Sequence, residues 1–305
     1  MSRVLVTGGA GFLGSHLVER LVEAGERTAL VDSLVRGSRS WIHQDAELHE
    51  LDIRDGSALQ RAVAQVAPEI VVHLAALHFI PAVDGAPELA WDVNVNGTKT
   101  LLEALAKRPP ELLLFASTAA VYPDRHGPIG EACPPDPIDL YGRTKLAGEQ
   151  IVDEFASRTA VRCVAARIFN VIGRRETNPH VVPEIIRQLR SGGTSVRLGN
   201  LEPRRDYTDV VDVAEALHRL TGSPPTATPT AVNLGSGRSV SVVELVQACE
   251  QVLDRPIEIE VEPGRLRKAD RAELVADSRL LRETTGWEPT RSLARTLNDL
   301  LTEAD

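Results

Sequence analysis

Tyr141 and Lys145 stand four residues apart in the segment Tyr141-Gly142-Arg143-Thr144-Lys145. That spacing puts a phenol and an ammonium on one helical face. Near the start of the chain runs Thr7-Gly8-Gly9-Ala10-Gly11-Phe12-Leu13-Gly14. This is a glycine turn of the kind that cradles a dinucleotide pyrophosphate: Gly8 permits the tight turn, Gly11 lets the phosphates approach the backbone, and Gly14 lets the helix pack against the strand. Phe12 and Leu13 fall in the first turn of that helix. Taken together, the two motifs describe an enzyme that moves a hydride and a proton to or from a carbinol carbon. A free phenol, with a pKa near ~10, is a poor base at neutral pH. The Lys145 ammonium and a positive nicotinamide ring would both favour the phenolate. Lys145 would also hydrogen-bond the nicotinamide ribose, and Thr118 would share the substrate oxygen and orient it.

These groups need a scaffold, and the elements alternate as a doubly wound sheet requires. Arg3 to Val6 reads as a buried parallel strand, and the helix from Phe12 to Ala24 carries Leu13, Leu17, Leu21 and Val22 at helical spacing. The strand Thr28 to Val31 ends at Asp32, with Ser33 beside it, where a carboxylate accepts hydrogen bonds from the adenosine ribose. A carboxylate there repels a 2′-phosphate, which favours NAD over NADP, although Arg36 and Arg39 stand close by. Asp52 and Ile53 follow a third short strand; Asp52 either reaches the adenine or is a plain turn residue. The strand Glu69 to Leu74 runs into Ala75 and Ala76, small residues against which a cofactor can lie. Further along, 89–106 reads as a helix stopped by Pro109 and Pro110, Leu112 to Phe115 as a strand running on to Thr118, 141–156 as a helix and 161–166 as a strand. Asn94 would hold the helix behind the site. The fold predicted is α/β: a Rossmann-type parallel sheet over 1–169 with a returning segment near 208–235, and a smaller α/β substrate-binding domain from 170–207 and 236–305.

Composition narrows the class. The chain of 305 residues is 43% hydrophobic and 25% charged, with net charge −9. That is ordinary for a globular protein and argues against nucleic acid and anionic membranes as partners. No apolar run is long enough to span a bilayer and no signal peptide is evident. Cys133, Cys163 and Cys249 are few and scattered, which suggests reduced thiols in a cytoplasmic protein, with no disulfide framework and no metal site.

In its motifs the chain resembles the extended short-chain dehydrogenase/reductases of the nucleotide-sugar epimerase/dehydratase family over essentially its full length. The matching pieces are TGGAGFLG (7–14), Asp32, DIRD (52–55), HLAA (73–76), NVNGT (94–98), ASTAAVY (116–122), YGRTK (141–145), RIFNVIG (167–173), LGNLEPRRDYTDVVDV (198–213), NLGSG (233–237) and TGWEP (285–289). Residues 1–150 are most similar to UDP-glucose 4-epimerases. Residues 165–305 look like GDP-4-keto-6-deoxymannose reductases and other GDP-sugar enzymes. The resemblance places Leu74, Ala75, Ala76, His78 and Asn94 on the cofactor side. It places Asn170, His180, Val182, Asn200, Arg205 and Arg267 on the substrate side, with Asn170 and Arg205 toward the diphosphate. His180 stands where many 4-epimerases have Asn. His78 stands where some have Lys, to tune the cofactor, contact sugar or merely pack.

Members of the family differ in reaction, and here the residues after Thr118 decide. Dehydratases of the family carry acidic groups there, and 3,5-epimerases a Cys; this chain has Ala119 and Ala120. A methyl group transfers no proton. The reading that follows is an NAD-dependent C4 epimerase of a GDP- or UDP-hexose working through a 4-keto intermediate, with Thr118, Tyr141 and Lys145 as the catalytic set. The alternatives are an NAD(P)H-dependent reductase of a nucleotide 4-keto-6-deoxy sugar and a non-catalytic NAD-sensing protein. The helices at 89–106 and 141–156 resemble those that pair in the family's dimers, so a homodimer is expected.

Overall fold

Strands with apolar residues at every position become central strands, because both of their faces must be covered. The computed structural model describes residues 1–190, 192–228, 230–266 and 271–302. Its strands are β1 (Arg3–Thr7), β2 (Arg27–Asp32), β3 (Glu47–Glu50), β4 (Ile70–His73), β5 (Leu112–Thr118), β6 (Arg162–Ile168), β7 (Asn170–Ile172), β8 (Ser195–Leu198), β9 (Arg204–Asp209), β10 (Thr230–Leu234), β11 (Ser239–Ser241), β12 (Glu258–Val261) and β13 (Glu273–Leu274). Its helices are α1 (Phe12–Glu23), α2 (Gly56–Val66), α3 (Ile80–Gly85), α4 (Pro87–Trp91), α5 (Gly97–Ala106), α6 (Leu140–Arg158), α7 (Val181–Arg190), α8 (Val210–Gly222), α9 (Val242–Leu253), α10 (Arg279–Thr285) and α11 (Leu293–Thr302).

Seven strands form one sheet in the order β10-β6-β5-β4-β1-β2-β3, all parallel. Alternate residues feed two cores. Val4, Val6, Leu30, Val72, Leu114 and Val164 face α1 and α8. Leu5, Val31, Val71, Leu113, Phe115 and Cys163 face α2, α5 and α6. The chain runs outward from β1 through β2 to β3, then returns to β4 on the other side of β1. Ligands of such sheets bind in the crevice that opens at this reversal, beyond the strands' carboxyl ends. The glycine turn leaves β1 there, and Leu74 to Ala76 leave β4 beside it.

The helix read over 89–106 is interrupted. α4 and α5 are joined by a π turn at Asp92–Asn96, which keeps the path helical and so leaves the apolar spacing nearly unchanged. Its effect is to set Asn94 facing Leu77 and α6. Beyond the main sheet, β7, β9, β11 and β13 form a mixed four-stranded sheet and β8 pairs with β12. A third core, from Ile185 and Leu189 of α7, Leu245 and Cys249 of α9 and Leu297 of α11, holds this part together. No helix among the described residues is long and apolar enough to cross a membrane. Cys133, Cys163 and Cys249 are free thiols.

Candidate active site

α6 brings the phenol and the ammonium to the end of β5. Its N-cap is Asp139, which accepts from Gly142 N at 2.7 Å and pairs with buried Arg271 at 2.7 Å. Arg271 also donates to the Ala120 carbonyl at 2.8 Å, so one guanidinium fixes the start of α6 against the turn after Thr118. One helical stripe, Tyr141, Lys145, Gly148, Glu149 and Val152, faces the sheet. At Gly148 a Cβ would lie 2.5 Å from the Phe115 ring, so only glycine lets the helix come this close. The half-buried Tyr141 hydroxyl hydrogen-bonds the Thr118 side chain. Lys145 is buried, with Nζ 4.7 Å from the centroid of Phe115.

The electrostatics correct one expectation. Burial holds the Tyr141 phenol above its usual value; the Thr118 hydrogen bond opposes this, and the Asp139 carboxylate adds to it. Burial outweighs the lowering influence expected of Lys145. The ammonium itself is destabilised: burial lowers Lys145 to about 8, against the opposing pull of Glu149 one turn along. A lysine that loses its proton near neutral pH can respond to a charge brought beside it, which an ordinary surface lysine cannot.

Behind this pair lies a polar network that the motifs did not announce. Glu149 and Arg167 form an ion pair at 2.7 Å with both side chains 7% exposed. Glu149 also accepts from Ser117, next to Thr118. Arg167 donates to the Tyr122 hydroxyl at 3.0 Å, and that hydroxyl donates to Asn233 at 2.7 Å. A second chain runs from the glycine turn's strand to α6. Ala75 N–H donates to Thr7 Oγ1 at 3.3 Å, and Thr7 Oγ1 lies 2.6 Å from His73 Nδ1. His73 Nε2 lies 2.9 Å from Thr98 Oγ1, which donates to the Asn94 carbonyl. These partners require a neutral imidazole protonated on Nε2, and burial, with help from Lys145, lowers His73 to about 3. Asn94 exchanges two hydrogen bonds with the Leu77 backbone at 2.7 and 2.9 Å and donates to Thr144 at 3.0 Å. It holds the loop after β4 to α6, as a positioning residue.

The cofactor cradle fits a dinucleotide. Gly8 has φ +73 and sits against Ala75, and a Cβ on Gly14 would lie 2.0 Å from the Gly8 carbonyl. α1 starts at Gly11 with no side-chain cap, which leaves its first-turn N–H groups for an anion. Asp32 is fixed at the end of β2 by Ala10 N at 3.0 Å and Leu34 N at 2.8 Å. Ser33 follows it, exposed. The Asp52 carboxylate accepts three hydrogen bonds from Arg54, at 2.7 to 3.0 Å, and stays partly exposed, while Ile53 is buried against Gly97.

Residues 4–235 match the model of the NAD dependent epimerase/dehydratase family. The chain belongs to this family. Among similar proteins, a UDP-glucose 4-epimerase of Streptomyces lividans is 32% identical over 305 residues, covering 95% of this chain and 92% of that protein. A Thermotoga maritima UDP-glucose 4-epimerase structure with UDP-glucose superposes with TM-score 0.90 at 30% identity, covering 98% of this chain and 96% of that one. A Thermus thermophilus UDP-glucose 4-epimerase in complex with NAD gives 0.89 at 30% identity, covering 98% of this chain and 97% of that one. These matches run through both halves of the chain, so the GDP-sugar likeness of the second half finds no support in them.

In this epimerase/dehydratase chain the residues expected on the substrate side separate into two kinds. Asn170 at the head of β7, His180 and Asn200 are half-buried polar residues. Val182 is buried in the third core, so only its backbone is available to a ligand. Arg205 donates to the Arg204 and Arg271 carbonyls at 2.8 and 2.9 Å, which ties β9 to the segment before β13. Arg267 lies outside the described residues. His78 and His180 stack with ring centroids 6.2 Å apart, and Asn178 and Glu176 complete a cluster beside them. Glu176, Asn178, Glu149, Arg167 and Arg271 were all missed by motif reading. A Glu four residues after Lys145, one turn along the same face, was the available signal for Glu149.

Proposed function

We propose that the protein is an NAD-dependent UDP-hexose 4-epimerase with Thr118, Tyr141 and Lys145 as its catalytic residues. The observation that carries this reading is the Tyr141–Thr118 hydrogen bond above buried Lys145, bordered by the methyl groups of Ala119 and Ala120. Thr118 receives and orients the sugar O4 hydroxyl. As the phenolate, which the Lys145 ammonium and the positive ring of bound NAD would favour against the opposing effect of burial, Tyr141 takes that proton as oxidation proceeds and returns it as the hydroxyl re-forms. The Lys145 ammonium steadies the phenolate charge while the proton is on the sugar O4. NAD bound on the glycine turn would accept the C4 hydride and give it back to the opposite face of the ring. Ala119 and Ala120 offer no acid next to Thr118, so elimination of water and deprotonation of C3 or C5 lack their usual base.

The choice of UDP over GDP rests on the relatives named above, which are UDP-glucose 4-epimerases over both halves. We further propose a division into an NAD-binding part, 1–169 with 208–235, and a nucleotide-sugar part. In a cytoplasmic homodimer, α4 to α6 would form the interface, and Leu89 and Trp91 on α4 are 45% and 44% exposed. Incubation with UDP-hexose deuterated at C4 tests the chemistry. The C4 epimer should appear without added reductant, with its label still at C4. Solvent deuterium at C3 or C5, or strict dependence on NAD(P)H and a 4-keto substrate, would overturn the reading.

A further inference from the structure

We propose that His78, Glu176 and His180 form a binding site for a borderline-soft divalent cation, with zinc as the fitting ion. One ligand atom from each lies within 4.8 Å of the other two. Two imidazoles and one carboxylate with an open fourth position is a zinc donor set. No motif pointed to it, because His78 follows β4 while Glu176 and His180 precede α7.

The ligands are already aimed. His78 hydrogen-bonds the Ala76 backbone through one ring nitrogen, which leaves Nε2 as an acceptor facing the cluster. A backbone partner of this kind is what fixes the tautomer and ring angle of metal-binding histidines. The Asn178 amide nitrogen lies 3.1 Å from His78 Nε2 and 3.0 Å from Glu176 Oε1, and so marks the point where their lone pairs converge. Asn178 N–H holds Glu176 Oε1 at 2.7 Å, and His180 N–H donates to the Asn178 carbonyl at 2.8 Å, so residues 176–180 form one tight loop. The His180 ring is braced edge-on against Phe79 at 5.1 Å. A cation entering here displaces the Asn178 amide. Lys145 and Arg36 are charged neighbours of His78 and repel any cation, which disfavours a hard ion offered a single carboxylate. Zinc gains enough from imidazole nitrogen to overcome them. It would then lie within electrostatic reach of Lys145 and inhibit turnover.

The test is zinc titration of chelator-treated protein by calorimetry at pH 7.5, with thermal unfolding alongside. One zinc per chain, a raised Tm and no response to magnesium are expected. Glu176→Gln keeps the acceptor for Asn178 and removes the charge. It should weaken zinc at least tenfold while the metal-free Tm stays put, and His180→Asn should do likewise. Cys133→Ser should leave binding intact. Turnover should be inhibited by zinc, restored by chelator and resistant in Glu176→Gln. Absent binding, or binding equal in wild type, Glu176→Gln and His180→Asn, overturns the proposal. The calorimetry stands apart from the epimerase assay, so the two proposals fail separately.

Discussion

At the scale of single residues, Tyr141 and Lys145 carry different burdens. Tyr141→Phe keeps the ring and removes the proton relay, so turnover should fall at least a hundredfold, the scale of general acid–base catalysis, with KM little changed. Near-normal turnover in that variant would show that another group moves the proton. Lys145 sets the pH profile. Its ammonium persists below about 8 and is lost above it, so kcat should decline on the alkaline side with an apparent pKa near that value, well below that of the phenol. Asp32 governs cofactor choice. Its carboxylate repels a 2′-phosphate, so NAD should bind at least about tenfold tighter than NADP, or ~1.4 kcal/mol. Competitive titration of stripped protein measures this, and equal affinities would remove the argument. The shared helical face of Tyr141 and Lys145 was legible in the sequence because spacing alone sets it, and the place of Asp32 because an apolar strand ends there. His78 and Glu176 were not legible as a pair, because 97 intervening residues, 79–175, lie between them and only tertiary folding closes that gap.

At the scale of elements, α6 shows what a motif omits. Helical spacing predicts that Tyr141 and Lys145 share a face, but not what that face rests on. The helix is held at its start by Arg271 through Asp139, and one turn past Lys145 by the Glu149–Arg167 pair. Arg271 lies in a segment whose sequence pointed to Arg267, and nothing local distinguishes a phosphate ligand from a buried clamp. Glu149 raises the Lys145 pKa, so Glu149→Gln should move the alkaline limb of the pH–rate profile to lower pH. It should also destabilise the fold by about 3 kcal/mol or more, because Arg167 is left buried without its counter-charge. A merely structural role would reproduce the loss of stability and leave the limb where it is; pH–rate profiles below the variant's Tm separate the two. The π turn between α4 and α5 was illegible for a related reason. Hydrophobic period reports which face is buried, and one widened turn scarcely alters it.

At the scale of the whole molecule, the parallel sheet brings the residues proposed for catalysis and cofactor binding to the carboxyl ends of its strands, and the polar chain through His73 runs across that end. His73 is 2% exposed and bonded on both nitrogens. Its folded pKa is depressed from 6.5 to about 3. Between those values the unfolded chain binds a proton that the folded chain refuses. The stabilisation is therefore complete above pH 6.5 and drains away as pH falls toward 3. The slope is about 1.4 kcal/mol per pH unit for this one group. His16, His78 and His218 shift in the same direction and steepen the fall. Denaturant midpoints taken at intervals from pH 7.5 to 5 should therefore drop steadily, before most carboxylates titrate. His73→Asn removes the titrating group, so it should lower stability at pH 7.5 yet flatten the descent by roughly that single-proton slope. An unchanged slope in the variant would mean that His73 is protonated in the folded chain, and the hydrogen-bonded path from Thr7 to Asn94 would then have to run with a charged ring donating at both ends.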